Sequence, residues 1–205
     1  TGCSRPGART GSSTSTTRRE TGPVVPVAAD LSVALSATNV SNAGTDSITA
    51  TVTAVDASRN ALAGIPVTVA VDNGGVAVLS GTATDANGKL TATVGIGSDR
   101  SNRVITVTAT SGTLVRVAAF QVTGAKLLAT LLPAVVAPTT AAQVQYRLVD
   151  VNSNPMVGQA ISVSGAGVTS AQGVTGNNGE YNFAYTSPAT AGNLDLTATA
   201  GGVSL

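Results

Sequence analysis

The chain contains no histidine and no tryptophan, and its only cysteine is Cys3. Without an imidazole, neither a Ser-His-Asp triad nor a Cys-His nucleophile can be assembled. A single thiol also rules out an internal disulfide framework. Charged residues make up 10% of the sequence and aromatic residues 2%, against roughly 25% charged in ordinary soluble domains. With 11 Lys and Arg against 10 Asp and Glu, the formal net charge is +1. That balance leaves no clustered basic face of the kind nucleic-acid binding requires, and no nucleic-acid partner is expected. The cations Arg5, Arg9, Arg18 and Arg19 are dispersed through a low-complexity start. Long apolar runs are missing too: "LLATLLPAVVAP" at 127–138 is too short to span a bilayer and is broken by Pro133.

What the sequence does have is small and β-branched residues. Hydrophobic residues make up 42%, mostly Ala and Val, while Thr and Ser do the surface work that Lys and Glu do elsewhere. Such side chains fit a pleated, half-buried surface. Residues 1–29, "TGCSRPGARTGSSTSTTRRETGPVVPVAA", show no period and read as a flexible, disordered tail. The chain does not begin with Met, and the expectation is a fragment or a processed form.

The remainder contains one unit written twice. "VDASRNALAGIPVTV" from Val55 matches "VDVNSNPMVGQAISV" from Val149. The turn closed by Gly88 matches the one closed by Gly179, and "ITVTATSG" from Ile105 matches "LDLTATAG" from Leu194. The order is kept and the offset shrinks slowly, as it does when loops lose a residue or two. Two domains are expected, at 30–124 and 125–205. Within each the period is two, the mark of strands. Ile48, Ala50, Val52 and Ala54 alternate with Thr; Val67, Val69 and Val71, then Leu90, Ala92 and Val94, then Ile105, Val107 and Ala109 continue the pattern. The second copy has Val144, Tyr146 and Leu148; Ile161 and Val163; Tyr181, Phe183 and Tyr185; and Leu194, Leu196 and Ala198. Clusters such as "DANG" and "GNNG" reverse the chain between runs. The expected fold class is all-β: two tandem immunoglobulin-like β-sandwiches behind a disordered N-terminal tail.

These residues carry a family resemblance. "VDASRNALAGIPVTV", "TDANGKLTATV" and "ITVTAT" resemble the bacterial immunoglobulin-like domain of group 1, the invasin and intimin repeat. The first unit matches through Asp56, Asn60, Gly64, Val67, Thr84, Asp85, Gly88 and Ala92. The second matches through Asp150, Asn154, Pro155, Gly158, Gly179 and "LTATA"; it departs at Gly176, where the family has Asp, and at Gln159–Ala160. The resemblance implies surface-displayed modules in tandem, neighbouring repeats of the same chain as partners, and a bacterial cell-surface, outer-membrane or extracellular location.

Candidate chemistry is thin. Asp72 and Asp99 are examples of carboxylates that folding could pair for glycoside hydrolysis, but their spacing does not recommend that over solvated loop charges. No enzyme and no cofactor are expected. Asp56, Asp72, Asp85 and Asn87, with Asp150, Asn177, Asn178 and Glu180, are oxygen donors in loops, where calcium binds. No D-x-D-x-D-G run is present, and turn-capping by Asp and Asn accounts for them equally; no metal ligand is assigned. "TGCS" resembles the end of a lipoprotein signal, which makes Cys3 a candidate lipid attachment point and the only expected link to a membrane. Tyr181, Phe183 and Tyr185 share one strand face and read as core in preference to a sugar platform. The joint "FQVTGAKLLATL" at 120–131 has no Gly/Ser linker, so interdomain freedom should be small. The second unit stops soon after "TATAG", so its last strand is expected to be short, with an open edge. The expected function is a non-enzymatic rigid spacer or stalk in an adhesin-like or lipoprotein assembly. The alternative is a module binding a glycan or host protein through sandwich-end loops.

Overall fold

The computed structural model describes residues 1–2 and 26–205; Cys3 and the tail residues 3–25 lie outside the described residues. No helix occurs among the described residues. The first unit holds β1 (Asp30–Leu35), β2 (Asn39–Ser41), β3 (Ser47–Val55), β4 (Thr68–Val71), β5 (Val76–Leu79), β6 (Lys89–Gly95), β7 (Arg103–Ser111) and β8 (Leu114–Thr123). The second holds β9 (Lys126–Leu132), β10 (Ala141–Val149), β11 (Ala160–Gly165), β12 (Ala171–Val174), β13 (Glu180–Thr186), β14 (Leu196–Ala200) and β15 (Val203–Ser204).

Alternation decides which face each strand buries. Ile48, Ala50, Val52 and Ala54 of β3, Leu90, Ala92 and Val94 of β6, and Ile105, Val107 and Ala109 of β7 are all buried. They join the sheets β1-β3-β6-β5 and β2-β8-β7-β4 face to face. The second unit packs β13-β10-β9 against β12-β11-β14-β15 over a separate core that includes Val144, Tyr146, Leu148, Ile161, Val163 and Phe183. Each fully buried Val, Ile or Leu contributes about 1.5–3 kcal/mol. The all-β, two-sandwich architecture is therefore the one the alternation implies.

Three details differ from the sequence reading. Tyr181, Phe183 and Tyr185 do share the inner face of β13, but only Phe183 is fully buried. The tyrosines pack at the margin, with Tyr185 stacked on Phe183 at 5.8 Å between ring centroids. Leu194 lies outside β14, which begins at Leu196, whereas its counterpart Ile105 sits well inside β7. The last edge is partly filled: β15 pairs with β14 through Thr199↔Ser204 and Ala200↔Val203.

One strand also changes sheets. β5 pairs with β6 in the first unit, yet β12, at the same place in the repeat, pairs with β11 of the opposite sheet. The sheet β13-β10-β9 is left with three strands.

Candidate functional site

The repeated turns reuse the same backbone bonds. In the first unit Asp56 N–H donates to Asn60 O at 2.9 Å and Leu62 N–H to Ala54 O at 3.0 Å. In the second, Asp150 N–H donates to Asn154 O and Met156 N–H to Leu148 O at the same two distances. Both carboxylates cap their turns: Asp56 Oδ1 accepts from Ser58 N and Asn60 N, and Asp150 Oδ1 from Asn152 N and Asn154 N. Thr84 and Thr175, both buried, donate to Leu62 O and Met156 O at 2.6 Å and tie the next loop beneath each turn.

What separates the two turns is their surroundings. The Asp56 side chain is half-buried, whereas the Asp150 carboxylate is closed off at the joint with the first unit, even though residues 151–155 of its turn remain exposed. Arg100 Nη1 reaches across to Asp150 Oδ2 at 2.8 Å, where the carboxylate side chain is 1% exposed. Beside it Asn42, fully buried, connects both units. Its Oδ1 accepts from Val151 N at 2.9 Å while its Nδ2 donates to Arg100 O at 2.8 Å. That pairing also fixes which end of the amide is oxygen. Asn42 N–H donates to Thr123 O at 2.9 Å, which holds the end of β2 to the end of β8. On the other side, Asn102 N–H donates to Gly201 O at 2.8 Å and Asn102 Oδ1 accepts from Ala125 N at 2.9 Å. The two-residue connection Gly124–Ala125 is thereby flanked by bonds between units.

Close approach at this joint depends on two glycines. Gly124 has φ +121, and a methyl there would meet Asn42 Oδ1 and Val151 Cβ. Gly202 has φ +75, and a methyl there would overlap the backbone carbonyl of Asn102. Both positions need the left-handed freedom and the missing side chain of glycine.

Burial by itself disfavours ionising Asp150. The hydrogen bonds from Asn154 and Asn152 and the Arg100 guanidinium outweigh that penalty and hold its carboxyl below the ordinary value. The group is thus a carboxylate at neutral pH, and its negative charge faces the cation that crosses the joint.

The remaining sequence candidates are scattered. Asp85 Oδ1 accepts from Asn87 N and Lys89 N, so it caps its own turn. Asp72 accepts from Thr106 N, and Asp99 from Ser101 N. Asp72 and Asp99 therefore serve different backbone sites. Glu180 accepts from Gln145 Nε2 at 3.3 Å, and Asn178 O accepts from Arg147 Nε at 3.4 Å. Asn177 is exposed on its turn. Among the described residues, no three His, Cys, Asp or Glu side chains gather in a way that could hold a metal ion. Sequence reasoning singled out Asp150 but missed Asn42, Arg100, Asn102 and Gly202. Arg100 offered a faint signal as a cation in a chain with few charges. Asn42 offered none.

No protein-family model matches the chain, and no curated protein matches it. Solved structures do. The Yersinia pseudotuberculosis adhesin InvE matches with a TM-score of 0.56 at 14% identity, over 83% of this chain and 55% of that one. The D0-D1 domain of intimin matches at 22% identity with a TM-score of 0.38, over 83% of this chain and 90% of that one. Invasin, a bacterial integrin-binding protein, matches at 21% identity with a TM-score of 0.46, over 85% of this chain and 38% of that one. At these identities the likeness concerns fold, and InvE carries it. The chain therefore has the fold of a bacterial adhesin built from immunoglobulin-like units, the fold that its repeated motifs imply.

Proposed function

We propose that the chain is a non-enzymatic spacer of the bacterial cell surface, in which two immunoglobulin-like units are held as one stiff segment of a stalk. The observation that carries this reading is the joint. A connection of two residues is reinforced by direct hydrogen bonds between units and by a charge pair with one buried partner. A flexible tether would need none of these. The absence of histidine and the engagement of Asp56, Asp72, Asp85 and Asp99 in local backbone bonds support a mechanical role over a chemical one.

The surface location follows the adhesin fold, and the proposal includes Cys3 as a lipid attachment point that would place the first unit nearest the membrane. Metabolic labelling with a fatty-acid analogue, abolished in Cys3→Ser, tests the anchor. Stiffness is tested with spin labels at Thr91→Cys and Thr197→Cys, both exposed positions, in a Cys3→Ser background. Pulsed electron resonance should return one narrow interunit distance. A broad distribution would remove the basis for the spacer reading.

A further inference from the structure

Arg100 and Asn102, which reach the second unit, both stand in the loop 96–102 between β6 and β7. The strand ladders stop on either side of that loop, so other bonds must set its shape. Arg103, the first residue of β7, provides them with a side chain that is 12% exposed. Its Nη1 donates to Asp99 O at 2.7 Å and to Ser101 O at 3.0 Å, and its Nη2 donates to Ile96 O. Its Nε donates to Asn73 O at 2.9 Å, on the turn between β4 and β5, and lies 3.5 Å from Asp99 Oδ2. All three guanidinium nitrogens are thus engaged.

The pattern bears directly on Arg100. The carbonyls before and after it, Asp99 O and Ser101 O, both turn to one nitrogen of Arg103, and the Arg100 carbonyl is left to accept from Asn42 Nδ2 at 2.8 Å. Asp99 closes the same turn by accepting from Ser101 N at 2.8 Å and Ser101 Oγ at 2.9 Å. The loop is also seated on the turn that carries Asn73: Gly97 has φ +69, and a methyl there would overlap the Gly74 carbonyl.

The repeat shows that the fold itself does not call for this residue. Ile105 and Leu194 are counterparts, so Arg103 corresponds to Gly192, and residues 187–195 between β13 and β14 include no Lys or Arg. In a chain with only 11 Lys and Arg, one guanidinium is enclosed by carbonyls in the loop that meets the neighbouring unit. Enclosing a cation is costly unless its donors are matched, and here they are.

We propose that Arg103 is the positioning residue of the joint: its guanidinium shapes the loop 96–102 into the platform from which Arg100 and Asn102 hold the second unit. This rests on the reading of the chain as a stiff spacer. Arg103 itself makes no bond to the second unit and acts through the loop. The role needs the planar fork, because three nitrogens fan out to four carbonyls, which a single ammonium cannot do.

The test uses the full chain with the spin labels described above. All three tyrosines, Tyr146, Tyr181 and Tyr185, lie in the second unit, so tyrosine emission reads that unit alone and checks that it stays folded. Arg103→Ala should broaden the interunit distance. It should also speed amide exchange at Val151 and Ala125, which donate to Asn42 Oδ1 and Asn102 Oδ1, by at least about tenfold. Val52→Ala is the control: it lies in the core cluster that contains neither Ile96 nor Ile105, and it should lower first-unit stability with neither effect. If Arg103→Ala behaves like that control, the residue is merely structural and the proposal is overturned. Arg103→Lys keeps the charge and the stem and should still loosen the joint; native distance and exchange in that variant would also overturn the assignment. Circular dichroism checks that the first unit folds, and Arg103→Lys carries the same readouts where the alanine variant does not. A broad distance in the unsubstituted chain would remove the spacer reading itself, whereas exchange at Val151 and Ala125 would still decide the role of Arg103.

Discussion

A methyl group at position 202 should loosen the joint while leaving both cores intact. Gly202 has φ +75, and its added Cβ would overlap the carbonyl of Asn102, which is backbone and cannot swing away. Gly112 is the control within the same chain: φ is +56, and no atom lies within 4 Å of the added carbon. Both substitutions force alanine into left-handed space, at about 1 kcal/mol each. Only Gly202→Ala also separates the units. It then forfeits Asn102 N–Gly201 O, Asn42 Oδ1–Val151 N and Arg100–Asp150. Neutral bonds are worth about 0.5–1.5 kcal/mol net, and the half-exposed Arg100 keeps the ion pair near the low end of charged bonds. The joint should thus lose about 3 kcal/mol beyond the strain. Urea unfolding read by tyrosine emission reports the second unit, and spin-label distances report the joint. Gly202→Ala should destabilise the second unit by about 4 kcal/mol and broaden the distance distribution, whereas Gly112→Ala should cost the first unit about 1 kcal/mol and leave the distance sharp. Equal costs and unchanged distances in both variants would refute the reasoning.

Acid should act on the same joint. The Asp150 carboxyl is depressed in the folded chain, so its contribution is complete at neutral pH and is lost as pH falls, from about pH 5 downward. Distance distributions recorded down that range should broaden in the native chain, and Asp150→Asn should be broad and insensitive to pH throughout. Gly176→Asp should restore in the second unit the cap that Asp85 provides in the first, because its Cβ would meet only Glu180 O at 3.6 Å. A gain of about 1 kcal/mol in tyrosine-detected stability is expected, and no gain would show that the backbone turn suffices. Asp85→Ala should cost the first unit about 1–2 kcal/mol, seen in circular dichroism while tyrosine emission barely moves. Phe120→Ala should remove about 3–5 kcal/mol from the first unit, since its ring is fully enclosed; a cost below 1 kcal/mol would contradict the packing described.

Much of the fold was legible in the sequence because strand periodicity is local. Ile48 to Ala54 alternate with threonine, and the buried set follows directly. The turns were legible for the same reason: an Asp or Asn capping its own loop is a bond between near neighbours, as at Asp56, Asp85 and Asp150. The sheet chosen by β12 was not legible. An edge strand of the same period fits either sheet; in the fold β12 joins β11, and the Tyr181 ring lies against Gly173. The late start of β14 was also hidden, because "LDLTATA" alternates as regularly as "ITVTATS", while in the fold the ladder with β11 ends at Gly165↔Leu196.

The sequence by itself determined that the chain is two copies of an all-β unit, with the inward residues named and the reversals placed, because each of those facts is written within a few residues. Only the tertiary structure decided that the copies are locked to one another. Asn42 and Val151 lie 109 positions apart, and Arg100 and Asp150 lie 50 apart. No local period relates such residues. They meet because one sandwich brings the end of β2 and the loop before β7 to the same pole, and the following unit presents its capped turn there.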